Sequence, residues 1–251
     1  MTEPDDPPPL VGRAPRLPEG VRVYAVGDVH GRLDLLRAMD TLIDADARSA
    51  PGRVIQIMLG DYIDRGPDSA GVVEHLLARR RTTELVTLRG NHEGYMLRLA
   101  REPSVLAHWC RFGGREALAS YGIDLSHLDE HELAAQAVAI AQRVAATVPQ
   151  SHAAFYAATE LYRVLGDYLF VHAGIRPGVP LSRQAEGDLV MIRQGFLDSE
   201  ADFGRVVVHG HTPQDAPEIR PNRIGIDTRA YASGVLTCLV LEGAERRFLT
   251  T

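Results

Sequence analysis

Five short segments of the chain place Asp, Asn or His beside glycine, directly after aliphatic runs. The first, VGDVHGRLD, puts Asp28 and His30 two residues apart behind the run RVYAV. If that run is a buried strand, both side chains lie just past its C-terminal end, and a spacing of two aims them the same way. The other segments are GDYIDRG from Gly60, RGNHE from Arg89, VHAG from Val171 and VHGHT from Val208. Packing alone does not require five such coincidences, so we expect the segments to share one site.

The polar side chains of these segments suit the binding of divalent metal ions. Carboxylate, amide and imidazole groups without thiolate favour Mn²⁺, Fe, Zn²⁺ or Mg²⁺ over a structural zinc site. Two such ions, usually ~3.5–4 Å apart, repel each other unless a carboxylate and a hydroxide bridge them. That hydroxide is a nucleophile at neutral pH. The candidate ligands are Asp28, His30, Asp61, Asn91, His172 and His211.

Taken singly, these residues have structural alternatives. Asp28 with His30 could form a turn that caps a helix, and His172 could be a hydrogen-bonded core histidine. Asn91 could serve a turn. The combination of the five segments favours metal binding over each of these alternatives.

Aliphatic runs and helical patterns alternate from Val21 onward, which predicts an α/β fold. VRVYAV, VIQIMLG and ELVTLRG predict strands, and helices are predicted from about Leu33 to Ala45 and from about Ser69 to Arg80. A βαβαβ order predicts parallel strands.

The middle of the chain, about residues 95–160, has an almost wholly helical pattern. One helix is predicted from the stripe Leu133 to Val148, with Asp129 and Glu132 as a capping pair at its start and Pro149 at its end. We expect this segment to be a helical insertion. Within it, Trp109 is expected to pack in the core, with contact to a substrate as the alternative.

Strand patterns return after the helical segment. LYRVLG and DYLFVHAG predict a hairpin, followed by the strands RVVVHGH, RIGID and VLTCLVLEG. Because long helices are missing between these late strands, a second sheet with mainly antiparallel pairing is expected.

Composition excludes several classes of protein. A formal net charge of −6 without a long basic block argues against nucleic acid as a partner, and no apolar run approaches a membrane span. Cys110 and Cys238 are far apart and belong to no metal-binding pattern, which predicts buried thiols. We expect a cytoplasmic protein with a flexible proline-rich tail over residues 1–20 and one domain over residues 21–251.

The motifs GDVHG, GDYIDRG, RGNHE, HAG and GHT resemble the phosphoprotein phosphatase branch of the calcineurin-like metallophosphoesterases, in its bacterial and phage form. The resemblance implies a β-sandwich of two mixed sheets flanked by helices, with a dinuclear metal site at the strand ends. Mn is the favoured metal, with Fe, Zn, Mg, Ni or Co as alternatives. By this resemblance Asp28 and His30 bind the first ion, Asp61 bridges, and the second ion is bound by Asn91, His172 and His211.

The same resemblance assigns the catalytic groups. His92 corresponds to a general acid, Asp64 to the carboxylate that orients it, and Arg65 to an arginine that binds the phosphoryl oxygens together with Asn91. Arg193 corresponds to a second phosphate-binding arginine. The implied reaction is hydrolysis of a phosphate monoester by direct attack of hydroxide, with a phosphoprotein or a small phosphate ester as substrate.

Two departures from the family pattern stand out. Pro213 occupies the position where many relatives outside this branch have a further metal-binding histidine, and Arg229 replaces a usual glycine in IDTRA. Either the loop at Arg229 has changed shape or a further cation points toward the substrate. Serine/threonine protein phosphatase activity is the preferred prediction. One alternative is an enzyme that hydrolyses diadenosine tetraphosphate. The other is a non-catalytic scaffold protein with this fold.

Overall fold

The computed structural model describes Leu10 and residues 13–251, and its first elements alternate as predicted. The three strands of this part pair in parallel, the first with the second and the second with the third. The predicted βαβαβ series is therefore confirmed. The elements are β1 (Val21–Val26), α1 (Leu33–Ala47), β2 (Arg53–Met58), α2 (Ser69–Arg79) and β3 (Glu84–Thr87).

The segment after β3 is helical, as its pattern indicates. The longest of its helices begins at the predicted capping pair, where the Asp129 carboxylate accepts from Glu132 N and the Glu132 carboxylate accepts from Asp129 N, both at 2.8 Å. That helix ends at Thr147, two residues before Pro149. The helices are α3 (Asn91–Leu99), α4 (Val105–Cys110), α5 (Gly114–Ser120), α6 (Glu130–Thr147) and α7 (Gln150–Ala157).

The last third of the chain returns to strands. The predicted hairpin is present, since the first two of these strands pair antiparallel with Tyr162 opposite Val171. Two of the described strands, Glu218–Ile219 and Glu245–Thr250, were not predicted. The elements are β4 (Tyr162–Leu165), β5 (Tyr168–Val171), α8 (Glu186–Met191), β6 (Val206–His209), β7 (Glu218–Ile219), β8 (Arg223–Gly225), α9 (Ala230–Ser233), β9 (Thr237–Glu242) and β10 (Glu245–Thr250).

Within residues 13–251 the strands form two mixed five-stranded sheets, as the fold prediction requires. The first has the order β10-β9-β1-β2-β3 and the second the order β4-β5-β6-β8-β7. The expectation that all late strands form a mainly antiparallel second sheet is wrong. Strands β5, β6 and β8 pair in parallel, and β9 crosses to the first sheet, where it lies antiparallel to β1. The chain between β5 and β6 is long enough to return for parallel pairing despite its short helix.

Alternation along β1 places side chains in two cores. Val23 and Ala25 pack with Phe170 and Val208 of the second sheet, so the two sheets share one apolar layer. Tyr24 and Val26 point the other way, into the core beneath α1, α2 and the helical segment. A third cluster lies on the outer face of the second sheet, against α8. The result is a sandwich of sheets covered by helices.

The expected flexible tail is corrected for residues 13–20. Leu17 is buried, its amide donates to Gly243 O at 2.9 Å, and Arg13 pairs with Asp167. Residues 1–9, 11 and 12 lie outside the described residues, so the prediction stays open there. Within the described chain, every helix is too short or too polar to cross a bilayer.

Candidate metal and catalytic site

All five predicted segments converge at the carboxyl ends of their strands. Asp28 and His30 follow β1, and Asp61 follows β2. Asn91 begins α3 directly after β3, whereas His172 and His211 follow β5 and β6 of the other sheet. Hydrogen bonds join the loops: His211 N donates to the Asp28 carboxylate at 3.0 Å, and Gly210 N donates to His172 O at 2.8 Å.

Glycine at two positions lets these loops approach each other closely. A Cβ atom on Gly90 would lie 2.1 Å from the Asp61 carboxylate, and one on Gly66 would lie 2.1 Å from the His30 carbonyl oxygen. Both distances are far below a van der Waals contact, so a side chain at either position would push the site apart.

One cluster of ligand-type atoms joins the two sheets. Asn91 Oδ1 lies 3.1 Å from His172 Nε2 and 2.8 Å from His211 Nδ1, and Asp61 Oδ1 lies 3.4 Å from His172 Nε2. Ligands about 2.0–2.2 Å from a common ion have such mutual separations. These are the four side chains expected to bind the second ion.

A second cluster forms on the other side of Asp61. His30 Nε2 lies 3.5 Å from Asp61 Oδ2, and His92 Nε2 lies 3.8 Å from the same oxygen. The two Asp61 oxygens thus face different histidines, which is the arrangement a bridging carboxylate needs. Among the described residues, two sets of three acidic or histidine side chains lie close enough together to hold a metal ion. One set is His30, Asp61 and His92, and the other is Asp61, His172 and His211.

Asp28 joins neither cluster in this arrangement. Its Oδ2 accepts the bond from His211 N, and its Oδ1 is buried without a hydrogen-bond partner among the described residues. A buried carboxylate oxygen without a donor is costly unless a cation or water satisfies it. The donor set therefore fits the two metal ions that the resemblance implies, with Asp28 close to the clusters yet outside both.

Backbone carbonyls fix the tautomers of the two central histidines. His30 Nδ1 donates to Ile63 O at 2.8 Å, and His172 Nδ1 donates to Leu59 O at 2.9 Å. Each imidazole therefore turns Nε2 toward the clusters. Such a bond on the far nitrogen orients metal-binding histidines.

The charge of Asp61 and those of its histidine neighbours stabilise each other. Burial raises the pKa of the Asp61 carboxyl, but the charges of His172 and His92 outweigh burial and hold it well below the usual range. Burial lowers the pKa of His172, yet attraction to Asp61 raises it to about 10. Burial lowers the pKa of His30 and of His211 to about 3. Cations are thus favoured beside Asp61, while His30 and His211 stay neutral.

The predicted acid and its orienting carboxylate are in contact. His92 Nδ1 lies 2.5 Å from Asp64 Oδ2, and both side chains are buried. Burial lowers the pKa of His92, but the carboxylates of Asp61 and Asp64 raise it overall. The raised pKa favours the protonated form of His92, which is the form that a general acid needs.

Arg65 lies over both histidines of the second cluster. Its guanidinium nitrogens are 3.2 Å from His30 Nε2 and 3.3 Å from His92 Nε2, and its Cζ lies 4.6 Å from the centre of the Tyr231 ring. Within the described chain, no carboxylate lies at ion-pair distance from Arg65. Its charge is therefore available to an anion.

Arg193 is more peripheral than Arg65. Its side chain is exposed, and its guanidinium donates to His211 O at 3.4 Å. The predicted second arginine thus lies beside the metal-type cluster of the second sheet.

The loop at Arg229 keeps a shape suited to glycine. Arg229 has φ +56°, in the left-handed region, and its side chain pairs with the exposed Asp215. The charge of Arg229 is therefore paired with Asp215 and is not free for a substrate. The left-handed conformation costs about 1–2 kcal/mol.

Sequence reasoning assigned no role to Glu93 and placed Trp109 in the core. Glu93 is fully buried and accepts from three backbone amides, of Asp61, Tyr62 and Gly90, at 2.8–2.9 Å. Trp109 Nε1 donates to Asp64 Oδ2 at 2.7 Å. The glutamate of RGNHE was a visible signal, whereas nothing in the local sequence linked Trp109 to Asp64.

The comparisons with known proteins decide the family. A family model described as calcineurin-like phosphoesterase matches residues 21–233. The chain belongs to the calcineurin-like phosphoesterases. The matched range contains every predicted metal ligand and catalytic residue.

Individual relatives differ in what they act on. Serine/threonine-protein phosphatase 1 of Salmonella typhimurium is 39% identical over 92 residues, 37% of this chain and 38% of that protein. Bis(5'-nucleosyl)-tetraphosphatase PrpE of Anoxybacillus flavithermus is 23% identical over 235 residues, 85% of this chain and 88% of that protein. The first match thus spans well under half of the Salmonella enzyme.

Solved structures show the same fold. The structure of a proposed diadenosine tetraphosphatase superposes with a TM-score of 0.63 at 21% identity, covering 94% of this chain and 98% of that one. A cold-active protein tyrosine phosphatase superposes with a TM-score of 0.54 at 18% identity, covering 93% and 81%. At this identity the likeness concerns architecture alone.

Proposed function

We propose that this chain is a metal-dependent phosphomonoesterase, specifically a serine/threonine protein phosphatase of the bacterial and phage type. The observation that carries the proposal is the placement of the His92–Asp64 pair, bonded at 2.5 Å, directly beside the Asp61 clusters. Arg65 lies above both with its charge unpaired by carboxylate. An acid, an anion-binding cation and metal-type ligands therefore meet at one point.

The proposed metal-binding residues are Asp28, His30, Asp61, Asn91, His172 and His211, with Asp61 shared between the two clusters. His92 lies beside the second cluster and is kept as the acid. Two divalent ions there, with manganese as the proposed native metal, would lower the pKa of water and offset the charge of a phosphate. The mixed oxygen and nitrogen donors suit Mn²⁺, Fe or Zn²⁺.

The remaining residues act on the phosphate ester itself. A planar guanidinium at Arg65 binds two phosphoryl oxygens at once and keeps its charge beside metals. Arg193 supplies a second cation from the side of His211. His92 gives its proton to the leaving oxygen as the bond between that oxygen and phosphorus breaks, and water supplies the oxygen of the released phosphate. Such protonation contributes about 10²–10⁴-fold for alkyl leaving groups.

A dinucleoside polyphosphate hydrolase is the alternative within the same family. It is favoured by the Anoxybacillus relative, whose alignment covers 85% of this chain and 88% of its own length. The same metal and acid residues would serve a phosphoanhydride, whose leaving group needs less protonation.

One experiment separates the candidate functions. A single manganese-loaded sample is assayed for phosphate released from phosphoserine and phosphothreonine peptides and for cleavage of diadenosine tetraphosphate. The proposal expects faster turnover of the peptides. Faster cleavage of the dinucleotide would establish the alternative, and inactivity on every phosphate ester would indicate a non-catalytic scaffold.

The proposed partners are phosphoproteins or small phosphate esters, without nucleic acid or membrane. The net charge of −6 supports the exclusion of nucleic acid. A cytoplasmic location is proposed because Cys110 and Cys238 are both buried free thiols, as is usual in reducing compartments.

A further inference from the structure

Trp109 contacts the same oxygen that holds the proposed acid. Its indole Nε1 donates to Asp64 Oδ2 at 2.7 Å, and His92 Nδ1 lies 2.5 Å from that oxygen. The other carboxylate oxygen, Asp64 Oδ1, is buried without a hydrogen-bond partner among the described residues. Both donors therefore converge on one oxygen of a single buried carboxylate.

The indole is itself rigidly held within the helical segment. Trp109 is fully buried on α4, and its ring lies parallel to that of Tyr95, with centroids 6.3 Å apart and an 8° angle between planes. A Cβ atom on Gly114 would lie 2.7 Å from the indole, so only glycine leaves room for it. The ring's apolar surface explains its burial, but the direction of its N–H requires another reason.

We propose that Trp109 is a positioning residue for His92, acting through Asp64. Two donors converging on Oδ2 fix the rotation of the carboxylate, and the carboxylate in turn fixes the imidazole ring. Without the indole N–H, only His92 would hold the Asp64 carboxylate, whose Oδ1 has no hydrogen bond among the described residues. The carboxylate could then rotate, and the imidazole of His92 could turn away from the leaving group. The helical segment thus contributes to the acid from outside the strand-end loops.

The kinetic test rests on the proposed phosphomonoesterase function. Trp109→Phe keeps a buried ring but removes the N–H. Turnover of phosphoserine peptides should fall about 10–100-fold, the equivalent of one charge-assisted hydrogen bond, with little change in KM. Turnover of p-nitrophenyl phosphate, whose leaving group needs little protonation, should fall much less. Equal losses on both esters would overturn the proposal and indicate a purely structural role.

Tyr156→Phe is the matched control for that test. Tyr156 is also buried in the helical segment, and its hydroxyl bonds to Tyr121 OH at 2.9 Å instead of to the Asp64 carboxylate. This variant likewise keeps a ring and loses one hydrogen-bonding group. The ratio of the two ester rates should stay at the wild-type value even if the melting temperature falls.

A second measurement is independent of enzymatic activity. Trp109 is the only tryptophan of the chain, so its indole N–H gives a single proton resonance. Asp64→Asn should shift that resonance upfield, because a neutral amide replaces the carboxylate. Asp68→Asn, at the N-cap of α2, should leave it in place. If the resonance did not move in Asp64→Asn, the contact between Trp109 and Asp64 would be refuted, whether or not the wild type hydrolyses phosphate esters. If the wild type hydrolysed no phosphate ester, only the proposed function would be refuted.

Discussion

Glu93 gives the most quantitative prediction of this structure. Its Oε2 accepts from Asp61 N at 2.9 Å and Gly90 N at 2.8 Å, and its Oε1 accepts from Tyr62 N at 2.8 Å. The side chain is fully buried. Glu93→Gln keeps the volume of the side chain and replaces one acceptor oxygen by an amide that donates.

The cost follows from the number of bonds. If the amide oxygen takes the position of Oε2, two bonds remain and the new NH₂ group faces Tyr62 N–H. Two buried donors then lack an acceptor, at about 1–3 kcal/mol each. Removing a buried negative charge beside Asp61 offsets part of this loss. We expect the free energy of unfolding to fall by about 2–4 kcal/mol.

Urea unfolding followed by circular dichroism measures this difference by linear extrapolation. The matched control is Glu132→Gln. Glu132 accepts from the backbone amide three residues before it, Asp129 N, at 2.8 Å, just as Glu93 accepts from Gly90 N. Glu132 is exposed, however, so water can replace the bond. Its variant should lose no more than about 1 kcal/mol. If Glu93→Gln cost no more than Glu132→Gln, the three-bond account of Glu93 would be wrong.

Three further predictions concern the metals, the acid and the backbone. His92→Asn should lower turnover of phosphoserine about 10²–10⁴-fold and that of p-nitrophenyl phosphate far less, in steady-state assays; equal losses would remove His92 from the acid role. Asp61→Asn should reduce the content of both metal ions together, because both clusters share Asp61; elemental analysis at full occupancy would contradict this. Arg229→Gly should be more stable than Arg229→Ala by about 0.5–1 kcal/mol in urea unfolding, because glycine relieves the left-handed strain but loses more chain entropy on folding. Both variants lose the ion pair with Asp215, so the pair does not affect the comparison. Equal stability of the two variants would refute the strain at this position.

The arrangement of the site could be predicted because it depends on strand ends. Strong aliphatic runs located β1, β2 and β3, and polar residues after parallel strands meet at one edge of a sheet. The meeting of Asn91, His172 and His211 follows from this rule. The pairing of His92 with Asp64 was implied by the family motifs alone.

Other features could not be read from local sequence because they depend on tertiary contacts. The transfer of β9 to the first sheet depends on which edge is open beside β1, and no pattern within VLTCLVLEG records that. The bond from Trp109 to Asp64 joins residues 45 apart. The bond from His211 N to the Asp28 carboxylate likewise joins residues of the two sheets.

Backbone strain is concentrated where the chemistry is proposed. Within the described chain, the non-glycine residues with positive φ are His30, Asp61, Asp64, Arg65, His211 and Arg229. All but Arg229 are predicted ligands or catalytic groups. At about 1–2 kcal/mol each, these five cost roughly 5–10 kcal/mol, comparable to the whole stability of an ordinary domain. Such conformations persist only where surrounding bonds determine them. The bonds from Asp61 N to Glu93 and from Asp64 N to Ser69 Oγ do this, so the buried polar contacts beneath the site hold side chains in directions that the backbone alone would not choose.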